Sequence, residues 1–381
     1  MKTILLGISG SIAAYKTPEL IRLLNKKGYR VIPVLTNAAS KFVSKLVLEN
    51  LSGEKCFTED DMITSDSFHL SLAKLADYYV IAPTSANTLA KCLHGVADTL
   101  VTNLFLTFQG PVLMAPAMHT EMYDHPSTQN NLKKIKKLSK LVGPSVGELA
   151  CNDYGMGRMV HPTCISDAVD FLHLPNLNLE GKKIVITLGG TEESIDKVRM
   201  IKNKSTGKLG KAIAMLSQLC GAQTTLISTV PIEDSGYFSV IYVESSSKMK
   251  ETLEKNFDKN DVLIMAAAVS DFKVNHAGEK LKREKTKQLN LVSTDDILKS
   301  VSAKKDKQKI IGFCLAEKKE LAKIGVEKCS SKKCDYVIAN PLDSFGKERR
   351  DILICNSEKV LKSHEDISIS ETAFKILELV Q

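Results

Sequence analysis

The residues that could do chemistry in this 381-residue sequence sit in short stretches rich in small or glycine residues. Gly7–Ala14 (GISGSIAA) follows an apolar run and opens a helical pattern. Small residues there let backbone N–H groups approach an anion, and the helix dipole favours negative charge. The spacing matches neither GxGxxG nor a P-loop, so a tight strand–helix turn reads equally well. Pro83–Thr88 (PTSANT) also lies just past an apolar run, where open α/β sheets bind ligands. His69 precedes Leu72, Ala73 and Ala76 at helical spacing, a pattern that also suits a core histidine. Pro116–Tyr123 (PAMHTEMY) carries His119 between two methionines that could simply pack. Gly147–Arg158 (GELACNDYGMGR) reads as a flexible glycine-rich loop, and its Cys151 as either an inert or a working thiol.

A second group lies downstream. Ser205–Gly210 (STGKLG) resembles the end of a P-loop but lacks the upstream glycine, and reads as a helix capped by Ser205 or Thr206 with Lys208 exposed. Ala266–Phe272 (AAAVSDF) places Asp271 at the end of a buried strand, where a carboxylate can hold a cation against phosphates. Lys280–Lys285 (KLKREK) alone is a solvated basic loop. Gly312–Glu317 (GFCLAE) closes another apolar run.

These stretches need a scaffold, and the pattern supplies one. Apolar runs at 3–8, 30–35, 78–82, 111–115, 183–188, 224–228, 239–243, 261–266, 309–313, 335–339 and 351–355 read as strands. Helical patterns at 12–27, 85–94, 207–219, 247–257 and 316–328 fall between them. That alternation predicts an α/β protein with mainly parallel sheets built from βαβ units. Between His173 and Gly181 the sequence has proline, asparagines and little periodicity, and Lys182–Gly190 then repeats the opening scheme of the chain. The expectation is two Rossmann-like domains, 1–175 and 181–381, each large enough for its own core. Lys133, Lys134, Lys136, Lys137 and Lys140 fall at helical spacing with Leu132, Ile135 and Leu138 and read as a solvated helix face.

Hydrophobic residues make up 43% and charged residues 25%, ordinary globular usage that argues against disorder, collagen and coiled coil. No apolar run reaches the ~18–20 residues of a bilayer crossing. The opening MKTILLG is explained better by a buried strand and glycine turn than by an export signal. The net charge of +8 is dispersed and aromatics are 6%, which suits small anionic ligands rather than nucleic acid. Nine cysteines without CxxC or zinc-ligand spacing predict free thiols, no metal cluster, and a reducing compartment, the cytoplasm.

Taken in order, GISGSIAAYK, His69 before LSLAKLAD, PTSANT, PAMHTEMY and ACNDYGMGRM resemble the phosphopantothenoylcysteine decarboxylase family, homo-oligomeric flavoproteins that bind FMN. The resemblance covers residues 1–165 and implies a flavodoxin-like domain. It also implies a chemistry in which a flavin oxidises the CH2–S group to a thioaldehyde, an electron sink that lets carbon dioxide leave. The enethiol that remains must be reduced and protonated. In this reading His69 acts as base or polar organiser, and Cys151, in a mobile clamp, delivers a proton. Ser9, Gly10, Ser11, Thr36, Ser85 and Asn87 hold FMN or nearby substrate, and His119 and Met122 lie at the substrate. His119 stands where the family usually shows asparagine, Tyr123 where tryptophan is common, Asn152 where glycine is usual, and His161 where an acid is usual. A histidine donates a hydrogen bond but loses the amide's second group, and Asn152 stiffens the clamp.

GGTEESIDKVRMIKNKSTGKLG, AAAVSDF, KLKREK and GFCLAE resemble phosphopantothenate–cysteine ligase over about residues 181–360. That family activates the carboxylate of 4′-phosphopantothenate, in the bacterial fused form with CTP, as an acyl-cytidylate that the cysteine amine attacks. The resemblance implies that Asn203 contacts the acyl-cytidylate, that Lys280 is the key lysine with Lys282 supporting it, and that Asp271 holds the Mg2+ side of the triphosphate. It places Gly312 and Phe313 in the cytosine pocket and lets Lys328 and Lys332 reach phosphates. Together the halves resemble one bifunctional enzyme of coenzyme A biosynthesis. The alternative is a ligase fused to a catalytically weakened, flavin-binding regulatory or interaction domain.

Overall fold

The computed structural model describes residues 1–64, 68–274, 279–280, 288–344 and 346–381. The chain divides into two compact units, Met1–Pro175 with Glu233–Tyr237, and Asn176–Ile232 with Phe238–Gln381. No helix among the described residues is long and apolar enough to cross a membrane.

In the first unit, strands β1 (Thr3–Ile8), β2 (Arg30–Leu35), β3 (Tyr78–Thr84), β4 (Val112–Pro116) and β5 (Lys140–Leu141) form one parallel sheet in the order β2-β1-β3-β4-β5. Every residue of β1, β3 and β4 is buried. Helices cover both faces, which is why these strands read as continuous apolar runs rather than alternating ones. Leu5, Tyr79, Ile81 and Met114 pack against Leu89, Leu104 and Leu132 from the helices Ala86–His94, Leu100–Thr107 and Pro126–Ile135. The strand order is flavodoxin-like, and its direction of progression reverses between β1 and β3.

Two expectations in this unit are corrected. The stretch 147–158 is not a loop throughout. Ser145–Glu148 (β6) and Tyr154–Arg158 (β7) form an antiparallel hairpin, leaving only residues 149–153 at its tip. The glycines serve close packing: at Gly157, φ is +134° and a Cβ would lie 2.3 Å from the Met118 carbonyl oxygen. The lysine run is not one helix face either. The helix stops at Ile135, whose carbonyl accepts from the N–H groups of Leu138 and Ser139 at 2.8 and 2.9 Å, and Lys140 opens β5.

In the second unit, β8 (Lys183–Leu188) is followed by a small antiparallel pair, β9 (Glu192–Ser194) and β10 (Met200–Lys202). Then come β11 (Gln223–Ser228), β12 (Ser239–Tyr242) and β13 (Val262–Met265), a second small pair, β14 (Phe272–Val274) with β15 (Leu291–Ser293), and finally β16 (Lys309–Ala316), β17 (Tyr336–Pro341), β18 (Arg349–Cys355) and β19 (Val360–Ser368). The main sheet runs β12-β11-β8-β13-β16-β17-β18-β19. It is parallel through β17, and β18 and β19 join antiparallel. Both sheets are therefore mainly parallel, as the alternation predicted. Here the order reverses between β8 and β13. The helix Lys208–Leu219 begins after Gly207 with no side-chain cap of its first turn, so the expected Ser205 or Thr206 cap reduces to a 3.4 Å contact from Lys208 N–H to Thr206 Oγ1.

Glu233–Tyr237, distant in sequence, belongs to the first unit for a specific reason. Asp234, 1% exposed, accepts from Arg158 Nη2 at 2.9 Å and from the His161 backbone N–H at 2.7 Å, and the Gly236 carbonyl accepts from Val146 N–H at 2.9 Å. The acid thus ties down the base of the hairpin. Replacing Asp234 with alanine strands a half-buried guanidinium, so we expect a loss of about 1.5–3 kcal/mol, the range for hydrogen bonds to charged groups. Calorimetry of the full chain reads this as a lowered first transition; an unchanged thermogram would refute it.

Candidate functional sites

The first unit holds a cavity of about 490 Å3 at the reversal of its strand order. Gly10 and Ser11 line it from the turn after β1, Thr36 from the end of β2, and Ser85 and Asn87 from the turn after β3; Met118 and Met122 lie on a further wall. The loops are joined by Ser9, which is fully buried: its hydroxyl donates to the Pro83 carbonyl at 2.8 Å and accepts from Ser85 N–H at 2.9 Å. Ser9 is thus spent as a bracket and does not line the cavity, unlike the other cofactor candidates.

Two helix N-termini open on this cavity. Ser85 caps Ala86–His94, accepting from Thr88 N–H at 3.2 Å, and Thr99 caps Leu100–Thr107 in a reciprocal arrangement with Thr102. Their unpaired N–H groups and dipoles favour a phosphate. Among the charged lining groups, Lys91 and Asp98 pair at 2.5 Å. Glu59 accepts from Asn37 N–H at 2.9 Å, but its buried Oε1 has no partner among the described residues. Burial pushes its carboxyl above the usual range, so it suits a ligand hydroxyl. An anion site, hydroxyls, an orphaned acceptor and methionine walls fit FMN: a phosphate, a polyhydroxylated chain and an apolar ring. His69 sits half-buried on the helix Phe68–Lys74 and does not line this cavity.

Just beyond Met118, the hairpin tip meets the 119–121 segment. His119 Nε2 lies 2.9 Å from Cys151 Sγ and 3.0 Å from Asp153 Oδ2, while Nδ1 pairs with Glu121. Cys151 Sγ is 3.3 Å from Asp153 Oδ2. The contact follows from the hairpin: β7 packs on this segment through the Met118 N–H bond to the Gly157 carbonyl, at 2.9 Å. The tip closes on itself, with Leu149 N–H bonded to the Asp153 carbonyl at 2.8 Å and Asn152 at φ +65°. Only glycine adopts that conformation freely, and asparagine is among the best substitutes. Cys151 is the exposed thiol among nine free cysteines. Burial pushes Cys56, Cys92, Cys164 and Cys334 up to about 12, so these pack rather than react.

The second unit holds a cavity of about 790 Å3, again at the strand reversal. Asn203, Asp271, Phe313, Lys328 and Lys332 all line it. Thr191 does here what Ser9 does in the first unit, its hydroxyl accepting from Ser270 N–H at 2.8 Å across the two loops. Gly190 lets the 203 segment come close, since a Cβ there would lie 2.4 Å from the Asn203 carbonyl oxygen. Asn203 Nδ2 donates to the Ala268 and Val269 carbonyls at 3.2 and 3.1 Å, which fixes the amide and turns Oδ1 the other way. Lys332 pairs with Asp296. Burial works against that carboxylate, but the lysine and the Lys299 N–H hold it below the usual range.

Three expectations fare differently. Gly312 does not line the cavity; a Cβ there would lie 3.1 Å from Leu298 Cδ2, so it shapes packing behind Phe313. Lys280 is exposed and away from the lining, and Lys282 lies outside the described residues. Sequence reasoning missed Arg350. It lines the cavity, its buried Nε has no partner among the described residues, and burial lowers its pKa against the pull of Glu348. A cation so placed is short of an anion. In the sequence it is hidden inside KERRD, which reads as an ordinary solvated charge run.

Comparison with known proteins fits this division. Residues 1–173 match the Flavoprotein family, and residues 179–381 match the DNA/pantothenate metabolism flavoprotein C-terminal domain. The coenzyme A biosynthesis bifunctional protein CoaBC of Borreliella burgdorferi is 34% identical, across 100% of this chain and 99% of its own length. That of Bacillus subtilis is 35% identical, across 91% of this chain and 87% of its own. A crystal structure of the C-terminal domain of a CoaBC protein aligns with 28% identity and a TM-score of 0.46, covering 53% of this chain and 94% of that one. With both family models matched end to end and full-length likeness to these proteins, the chain belongs to the CoaBC family of bifunctional coenzyme A biosynthesis flavoproteins.

Proposed function

We propose that residues 181–381 join 4′-phosphopantothenate to cysteine at the expense of CTP, and that residues 1–175 decarboxylate the resulting 4′-phosphopantothenoylcysteine to 4′-phosphopantetheine. The observation that carries this reading is the lining of the second cavity. Lys328, Lys332 and Arg350 supply cationic groups, Asp271 a carboxylate, Phe313 an apolar face and Asn203 a fixed amide. A carboxylate is a poor electrophile, and conversion to an acyl-cytidylate gives it a leaving group. That step is chiefly charge neutralisation and positioning. The cations take the triphosphate and the substrate phosphate, Asp271 holds Mg2+, and Asn203 Oδ1 or its backbone contacts the acyl-cytidylate.

In the first unit, Ser11, Thr36, Ser85, Asn87 and Gly10 hold FMN, which supplies two-electron redox chemistry when bound. The helix N-termini at Ser85 and Thr99 neutralise its phosphate. His119 and Met122 contact substrate, and Cys151 protonates the product carbon. His69 does not reach this chain's own cavity, so in the homo-oligomer a second copy supplies it. Free thiols support a reducing compartment, the cytoplasm, as the place where it works.

Mass spectrometry of products from 4′-phosphopantothenate, cysteine, CTP and Mg2+ tests both halves together. 4′-Phosphopantetheine, CMP and carbon dioxide are expected; failure to consume CTP would overturn the ligase reading, and accumulation of the undecarboxylated conjugate the decarboxylase one.

Asn203→Ala should lower ligation about 10²-fold, the scale for removing one oriented polar group, with acyl-cytidylate detectable in the quench. Turnover at the parent rate would remove Asn203 from the reaction.

Co-expression of His69→Ala and Cys151→Ser chains tests the shared site. Each variant alone should lack decarboxylase turnover, and mixed oligomers should regain part of it by pairing an intact histidine with an intact cysteine. No recovery in mixed oligomers would place both groups in one chain's site.

A further inference from the structure

Cys151 can protonate a product once; a second turnover requires that its sulfur be reloaded. The hairpin tip holds the parts for this. Both nitrogens of His119 face acceptors: Nδ1 the Glu121 carboxylate, and Nε2 both Cys151 Sγ at 2.9 Å and Asp153 Oδ2 at 3.0 Å. A ring with a proton on each nitrogen satisfies both sides at once. The Sγ distance lies within the range over which a positioned group passes a proton. The histidine side chain is 33% exposed, so water reaches it.

We propose that His119 is the proton relay that recharges Cys151, with Glu121 and Asp153 as positioning residues. This rests on the reading that Cys151 is the proton donor. The steps balance. The Cys151 S–H bond breaks as the proton moves to the product carbon, leaving a thiolate. The His119 Nε2–H bond then breaks, the proton goes to sulfur, and the ring becomes neutral with its remaining proton on Nδ1 against Glu121. A solvent proton returns to Nε2. Asp153 does not compete as the donor: hydrogen bonds from Cys151 and His119 hold its carboxyl below the usual range, so it stays an acceptor. Its role is to keep the thiol and the ring on one oxygen. An asparagine at 119 could bond the same partners but could not shuttle a proton.

The test uses the full chain loaded with FMN in air-saturated buffer, where dioxygen reoxidises flavin left reduced when an enethiol escapes, with 4′-phosphopantothenoylcysteine in excess, following carbon dioxide and 4′-phosphopantetheine separately by mass spectrometry. In His119→Gln, formation of reduced product relative to carbon dioxide should fall about 10²-fold, within the range for general acid–base groups. Unreduced enethiol should accumulate after the first turnover. Added imidazole should restore the ratio in His119→Gln but not in Cys151→Ser, an effect that a purely structural histidine would not show. Retained flavin absorbance in the variant shows that it is folded. A parent-like ratio in His119→Gln, or a lowered ratio that imidazole leaves unchanged, overturns the relay. A parent-like ratio in Cys151→Ser instead overturns the underlying assignment of Cys151.

Discussion

Both sites depend on one kind of hydrogen bond. Where the strand order of a parallel sheet reverses, the chain leaves neighbouring strands toward opposite faces, and a crevice opens beyond their carboxyl ends. Left alone, such loops would splay. In the first unit the Ser9 hydroxyl accepts from the N–H of Ser85, and in the second the Thr191 hydroxyl accepts from the N–H of Ser270. Each bracket joins the loop after the first strand to the loop after the strand beside it, at the mouth of the cavity. The brackets hold Ser85, the cap of the helix Ala86–His94, and Ser270, the neighbour of Asp271.

That economy also marks the limit of what the sequence discloses. The strands were legible because burial on both faces writes them as apolar runs, and β1, β2 and β8 fall where those runs do. The hydroxyls were harder. Ser9, Ser11 and Ser85 look alike in sequence, yet one braces the loops, one lines the cavity and one also caps a helix. Spacing cannot tell a serine aimed at a ligand from one aimed at a neighbouring loop. The hairpin was hidden for a related reason: its glycines, read as flexibility, are there because Met118 and the 119–121 segment pass too close for a side chain. The antiparallel β19 escaped notice because its residues are exposed or half-exposed and carry no apolar run.

Departures from the family pattern become intelligible in the same terms. Asn152 adopts a left-handed conformation, so asparagine in place of glycine preserves the turn while narrowing its freedom. That favours a tip held in one shape, and the shape it holds brings Cys151 onto His119. A histidine reaches further than an asparagine would, and the tip makes use of that reach. The two substitutions are best understood as a pair: a stiffer tip would serve little without a long partner to meet it, and a titratable partner would serve little against a wandering cysteine.

Under the proposed function the two cavities would meet anions by different physics, and the difference would suit their occupants. The first offers helix dipoles and neutral hydroxyls, and its lysine is already paired with Asp98. Fixed dipoles need no side-chain ordering when the ligand binds, which suits a cofactor that stays through many turnovers. The second uses Lys328, Lys332 and Arg350, long side chains that must be ordered at each binding event. Such groups suit a polyphosphate that enters, loses pyrophosphate and leaves, because they neutralise charge strongly yet let go. Arg350, partly desolvated with an unpartnered nitrogen, gains most when the anion arrives. Lys332 starts from a bond to Asp296, and in the proposed reading part of its attraction for a nucleotide would go into breaking that pair. A cavity armed this way binds its substrate less tightly than the same cations unpaired would, and releases it sooner, as repeated turnover requires.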